Sequence, residues 1–134
     1  MGDLVHYENA SADVRAVYDD IKRSRGVPDV NNFWKALAHH PPTLKRTWES
    51  VKEVMGPGVL DPVVKEMLYL AVSITNGCDY CIASHGAAAR KAGMTPAMWG
   101  ELVAIIGMAN ETNRLAFAHQ VPIDPMFQAG AAKP

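Results

Sequence analysis

The sequence predicts an all-α protein of about six helices, folded as a compact single domain over residues 1–134. Apolar residues recur at the i, i+3, i+4, i+7 spacing of a helix face, and strand-like alternation is poor. Helix caps and breakers divide this pattern at regular places. With 134 residues, 49% of them apolar and 20% charged, the chain can bury a core without a disulfide framework.

Caps and prolines mark the first three helices. Ser11 can cap the first helix, which Gly26 ends. A short second helix is expected within residues 31–40. Pro41 and Pro42 stop it and suit the first turn of a third helix, which the "GPG" sequence breaks. The apolar stripes are Val14, Val17, Tyr18 and Ile21 in the first helix, and Leu44, Trp48, Val51 and Met55 in the third.

The second half of the chain predicts three longer helices. The fourth starts at Asp61, whose side chain can cap it before Pro62, and the "TNG" sequence ends it. The fifth should begin at or near Cys78, which places the C-x-x-C pair at a helix N-terminus. Thr95 starts the last long helix, and a loose tail is expected from about residue 122.

Two stretches, "MLYLAVSI" and "LVAIIGMA", are apolar on almost every face, which implies burial on more than one side. They are either central helices of a bundle or part of a subunit interface. A net charge of -1 makes nucleic acid an unexpected partner. The N-terminus lacks a secretory pattern, and no stretch of about 18 apolar residues occurs. We therefore expect a cytoplasmic protein that does not contact a membrane.

The sequence "NGCDYCIASH" holds the only two cysteines, Cys78 and Cys81, with His85 four residues after the second. On a helix these three side chains share one face over two turns. A helix N-terminus stabilises a thiolate, and an imidazole one turn away can accept or relay its proton. A sulfenic acid formed on one sulfur can be captured by the other as a disulfide. In a reducing compartment, this pattern favours a redox or metal centre over a permanent crosslink.

Glu66 interrupts the apolar stretch of the fourth helix. It is either a residue at the solvent edge beside Lys65 or the carboxylate that orients His85. A zinc site made of Cys78, Cys81, His85 and Glu66 is a further alternative. Structural zinc sites usually have a second Cys or His pair, however, and this chain lacks one.

A glutamate twelve residues before C-x-x-C-x-x-x-H, here "EMLYLAVSITNGCDYCIASH", resembles the AhpD-like alkylhydroperoxidases of the carboxymuconolactone decarboxylase superfamily. The match is specific over about residues 61–95, and "VPDVNNFWKALAHHPP" is similar to the leading region of the small peroxidase-related branch. The resemblance implies an all-helical domain that forms trimers or hexamers. It also implies hydroperoxide reduction without haem, flavin, metal or another cofactor.

The resemblance assigns the attack on peroxide to Cys81 and closure of the disulfide to Cys78, with Glu66 and His85 as the proton relay. Helix geometry alone favours Cys78, nearer the N-terminus, as the more readily ionised thiol. The resemblance also suggests a lipoyl-type or other thiol reductant. The best-known alkylhydroperoxidases have a further histidine just before the second cysteine, where this chain has Tyr80. A phenol does not replace an imidazole as a base at neutral pH.

Two other functions stay open at this point. One is a lactone-ring decarboxylase without redox cysteines, against which the intact C-x-x-C-x-x-x-H argues. The other is an oligomeric binding module whose disulfide switches an interface while turnover is slow or absent.

Overall fold

A computed structural model describes residues 2–128, which contain helices and no strand. A 3₁₀ turn at Tyr7–Asn9 comes first. The α-helices are α1 (Ala12–Arg25), α2 (Asn32–Leu37), α3 (Pro41–Val54), α4 (Pro62–Asn76), α5 (Asp79–Lys91), α6 (Pro96–Ala118) and α7 (Pro125–Gln128). The prediction of an all-α fold is therefore confirmed. One helix beyond the expected six arises because Pro125 starts a single turn, α7, within the segment predicted as a loose tail.

The described residues divide into two compact units between Gly58 and Val59. The prediction of one domain over residues 1–134 stays a prediction, and residues 129–134 of the predicted tail lie outside the described part of the chain.

The first unit contains α1, α2 and α3, and its core is formed around two tryptophans. Trp34 and Trp48 meet edge to face with ring centroids 5.5 Å apart. Tyr18 and Leu44 beside them are fully buried. The predicted caps hold: Ser11 accepts the N–H of Val14, and Gly26 is left-handed at φ 63°. At the start of α3, His40 accepts the N–H of Thr43 and so caps this helix.

A carboxylate accepts the hydrogen bond of the indole N–H in this core. Asp20 Oδ2 accepts a hydrogen bond from Trp48 Nε1 at 2.7 Å and another from Lys52 Nζ at 2.9 Å. These bonds, first from Trp48 and then from Lys52, lower the pKa of Asp20 from 3.8 to about 2. Lys35, which is 7% exposed, is likewise paired with Asp29 at 2.6 Å. The first unit thus buries its polar groups with partners.

In the second unit, α4 packs against both α5 and α6. The core residues are Leu70, Ala89, Met94, Leu102 and Ile106. Ala89 of α5 is fully buried in this core. Thr95 caps α6 by accepting the N–H of Met98, as predicted. The expected side-chain cap at Asp61 is wrong: Asp61 is at the N-cap position, but its carboxylate accepts no capping bond.

Both very apolar helices bury only one stripe within this chain. Leu70 of α4 is fully buried, whereas Leu68 and Val72 are 54% and 61% exposed. On α6, Ile106 is buried and Met108 is 59% exposed. The contacts within residues 2–128 do not bury these helices on more than one side. No helix among residues 2–128 has both the length and the apolar content that crossing a bilayer requires.

Candidate active site

The C-x-x-C pair is placed by a tight junction between α4 and α5. Gly77 is left-handed at φ 69° and donates its N–H to the carbonyl of Ile74 at 3.2 Å. The Cys78 N–H donates to the carbonyl of Ser73 at 3.0 Å. These two bonds form a Schellman motif, which ends a helix and turns the chain sharply. Cys78 is therefore both the last residue of this motif and the N-cap of α5.

Cys78 and Cys81 are joined by a disulfide, with Cα atoms 5.3 Å apart. Cys78 Sγ also accepts the backbone N–H of Cys81 at 3.3 Å, in the manner of an N-cap side chain. Both residues are partly buried. The prediction that the pair occupies a helix N-terminus is confirmed, because α5 begins at Asp79, between the two cysteines.

Glu66 on α4 reaches His85 on α5. Their Oε2 and Nδ1 atoms are 2.7 Å apart, and the two side chains are only 16% and 20% exposed. The structure thus pairs Glu66 with His85 and Cys78 with Cys81. The two cysteines and the imidazole all lie within the first two turns of α5. Their catalytic roles stay predictions.

The hydrogen bond determines which imidazole nitrogen is available. An ionised carboxylate only accepts hydrogen bonds, so His85 donates from Nδ1 to Glu66. In the neutral imidazole the lone pair is then on Nε2, which makes no hydrogen bond with any group in residues 2–128. The pair therefore presents a base at Nε2 and a negative charge behind it.

The sequence reasoning missed Tyr69. Its ring stacks on the imidazole of His85, with centroids 3.5 Å apart and planes 16° apart. Tyr69 lies three residues after Glu66, and this spacing places both side chains on one face of α4. The spacing was visible in the sequence, but nothing there indicated that this face would contact His85.

Three further polar side chains stand on α5 and α6. Tyr80, between the cysteines, is 44% exposed. Ser84 donates a hydrogen bond to the carbonyl of Cys81 at 3.3 Å, so it supports the first turn of α5. Asn110 of α6 donates to Thr75 Oγ1 at 3.1 Å near the end of α4. Within residues 2–128, no three His, Cys, Asp or Glu side chains form a group that could hold a metal ion.

Comparison with known proteins agrees with this geometry. The model of the carboxymuconolactone decarboxylase family matches residues 41–122, which include the whole C-x-x-C-x-x-x-H segment and Glu66. The chain belongs to the carboxymuconolactone decarboxylase family. The resemblance read from the sequence is thereby confirmed.

A solved structure extends the match beyond this region. The crystal structure of the alkylhydroperoxidase AhpD core from Rhodospirillum rubrum ATCC 11170 is 56% identical in sequence. It superposes with a TM-score of 0.83 over 87% of this chain and 86% of that chain. A search of curated proteins found no match.

This member of the carboxymuconolactone decarboxylase family has the parts for two-electron thiol chemistry. Its cysteines are close enough to form a disulfide, and a helix N-terminus lies at the sulfurs. A base backed by a carboxylate lies on the same helix. The best-known alkylhydroperoxidases have a further histidine just before the second cysteine. In this chain Tyr80, whose side chain is exposed, occupies that position.

Proposed function

We propose that this protein is a thiol-dependent oxidoreductase that reduces hydroperoxides through a reversible Cys78–Cys81 disulfide. The observation that carries the proposal is the disulfide at the start of α5, on the same helix as an imidazole held by Glu66. The 56% sequence identity between this chain and the core of an alkylhydroperoxidase supports the same reaction class.

In the proposed cycle, the Cys81 thiolate attacks one peroxide oxygen and the O–O bond breaks. Cys81 becomes a sulfenic acid, and the alcohol leaves after it takes up the proton that His85 had accepted from the thiol. The Cys78 sulfur then attacks the Cys81 sulfur, which forms the disulfide and releases water. Two electrons pass from the dithiol to the peroxide. A thiol or lipoyl-type dithiol reductant returns two electrons and two protons.

The first test is a mass-resolved thiol count on fully reduced protein before and after one equivalent of tert-butyl hydroperoxide. Since the chain has only two cysteines, the count reports on this pair alone. We expect rapid loss of two hydrogens in the wild type and no disulfide within the chain in Cys81→Ser. Two thiols left untouched in the wild type would refute the peroxidase assignment.

Matched histidine variants test the proton relay. His85→Gln should slow oxidation by about a hundredfold or more, as removal of a general base does. His119→Gln changes an exposed histidine at the C-terminal end of α6 and should oxidise at the wild-type rate. Equal rates for the two variants would remove His85 from the mechanism.

The description of the matching family favours one further candidate, a decarboxylase that acts on a lactone ring. Such an enzyme needs no redox cysteine. Lactone decarboxylation that survives in a Cys78→Ser, Cys81→Ser double variant would support this candidate over the peroxidase. A redox-switched binding module is distinguished by an assembly state that changes with oxidation while peroxide consumption stays negligible.

We also propose that the chain forms a homo-oligomer, a trimer or a hexamer, through the exposed apolar stripes of α4 and α6. Two helices with this many exposed apolar side chains are unusual on a monomer. Sedimentation equilibrium should give a multiple of the chain mass, and Met108→Lys should lower it. A wild-type monomer would contradict this proposal. The side chains concerned include Leu68, Val72, Met108, Leu115 and Phe117, each at least half exposed.

A further inference from the structure

One face of α4 contacts the dithiol helix at both ends of the candidate site. Glu66 and Tyr69 both contact His85, the first at the edge of the imidazole and the second across its face. Ser73, one turn further along, accepts the Cys78 N–H at its carbonyl. Residues 66, 69 and 73 follow the i, i+3, i+7 spacing of a helix face. α4 therefore holds Cys78 through a backbone carbonyl and the imidazole through two side chains.

A single hydrogen bond at Nδ1 does not fix the plane of an imidazole. The torsion that rotates a histidine ring has broad minima, and a bond to a flexible carboxylate leaves the ring free to tilt about that bond. A tilt about the Nδ1 bond moves Nε2, the atom that takes the thiol proton in the proposed mechanism. Such displacements are costly, since a misplacement of about 1 Å can slow a reaction roughly a hundredfold.

We propose that Tyr69 is a positioning residue that fixes the plane of His85 by stacking, so that Nε2 is held in one direction. The observation behind it is the stack itself, at 3.5 Å between centroids and 16° between planes. The inference rests on the proposed role of His85 as proton acceptor for the dithiol. It requires the aromatic ring of Tyr69 but not its hydroxyl group.

The backbone holds Tyr69 in place for this task. Ser73 Oγ donates a hydrogen bond to the Tyr69 carbonyl at 2.8 Å, and Ser73 is buried. The next residue along α4, Leu70, is fully buried in the core of the second unit. Tyr69 is thus attached to a rigid part of α4 rather than to a loop, and it is itself partly buried.

Two variants separate the ring from the hydroxyl. Tyr69→Phe retains the stacked ring, whereas Tyr69→Leu retains apolar volume without a ring. The first readout is the NMR spectrum of protein labelled at histidine, with His85 assigned by comparison with His85→Gln. Stacking should shift the His85 ring protons upfield in the wild type and in Tyr69→Phe, and this shift should disappear in Tyr69→Leu. Absence of the shift in the wild type would overturn the proposal without any variant.

The second readout is the alkylation rate of the fully reduced dithiol with excess monobromobimane at neutral pH. We expect a loss of about tenfold in Tyr69→Leu, and a rate within about twofold of the wild type in Tyr69→Phe. A wild-type rate in Tyr69→Leu, or an equal loss in Tyr69→Phe, would overturn the positioning role. Circular dichroism and thermal unfolding identify a variant that is simply misfolded, in which case the Tyr69→Phe rate and the wild-type spectrum decide.

Alkylation does not depend on peroxide, so the two proposals fail separately. If the wild type ignores tert-butyl hydroperoxide but Tyr69→Leu still slows alkylation, the peroxidase function is wrong and the positioning role stands. If the wild type consumes peroxide and Tyr69→Leu matches it in both assays, the function stands and the positioning role is wrong.

Discussion

Replacing Glu66 by glutamine should slow the dithiol without unfolding the protein. The change removes the negative charge behind His85 and retains an oxygen that can accept the Nδ1 hydrogen bond. The lost term is the attraction between the carboxylate and the imidazolium that forms when His85 takes the thiol proton. In the proposed mechanism, alkylation and peroxide reduction both pass through that charged pair, so both should be affected in the same direction.

The structure sets the size of the effect. Two unit charges about 4 Å apart attract by roughly 4 kcal/mol near a protein surface and by about 1 kcal/mol in water. The Nδ1 and Oε2 atoms are 2.7 Å apart, and the two side chains are 16% and 20% exposed, so some solvent screening remains. We therefore take a loss of about 1.5–2 kcal/mol, which corresponds to roughly a ten- to thirtyfold slower reaction.

The assay is time-resolved alkylation of fully reduced protein by monobromobimane at pH 7, repeated as the second-order rate with tert-butyl hydroperoxide. Glu101→Gln on α6 makes the same chemical change at an exposed position and should react like the wild type. Glu66→Asp retains the charge but shortens the side chain, so its rate should lie between those of Glu66→Gln and the wild type. A Glu66→Gln rate within twofold of the wild type would refute the reasoning.

Three further predictions concern stability and are measured by urea unfolding. Asp20→Asn should lower the free energy of unfolding by about 1–2 kcal/mol at pH 7. Because the pKa of Asp20 is lowered from 3.8 to about 2, that difference should persist above pH 4 and shrink as the pH falls towards 2. A difference independent of pH would contradict it. Gly77→Ala should lower the free energy of unfolding by about 1 kcal/mol. Since φ is 69° and an added Cβ would meet nothing within 4 Å, only backbone strain opposes the alanine. An unchanged free energy of unfolding would argue against the left-handed turn. Leu44→Ala, at a fully buried position, should lower the free energy of unfolding by about 2–5 kcal/mol. Val59→Ala, at a fully exposed position, should leave it unchanged. Similar losses in the two variants would contradict the assigned core.

Most of the fold could be predicted because its signals are local. Ser11, Gly26 and Thr95 act at helix ends through bonds to residues within one turn, and such bonds depend on neighbouring sequence alone. Asp61 shows the limit of this reasoning. Aspartate at an N-cap position commonly accepts a capping bond, yet Asp61 accepts none, so residue type and position do not by themselves determine a side-chain cap.

The candidate site likewise has a part that the sequence predicts and a part that depends on helix packing. The alignment of Cys78, Cys81 and His85 follows from helix periodicity, so the sequence was sufficient to predict it. The Glu66 contact was expected only as one of two alternatives, and Tyr69 was not expected at all. Both contacts span two helices, and they depend on how closely α4 and α5 pack.

The sequence by itself determined α1 to α6, the signals at their ends and the placement of two thiols at the start of α5, because backbone hydrogen bonding and side-chain periodicity act over a few residues. Only the tertiary structure decided what surrounds His85. Burial of Leu70 against Ala89, at positions 19 residues apart, sets the rotation of α4 relative to α5. That rotation turns Glu66 and Tyr69 towards the imidazole, and no local pattern in either helix specifies it.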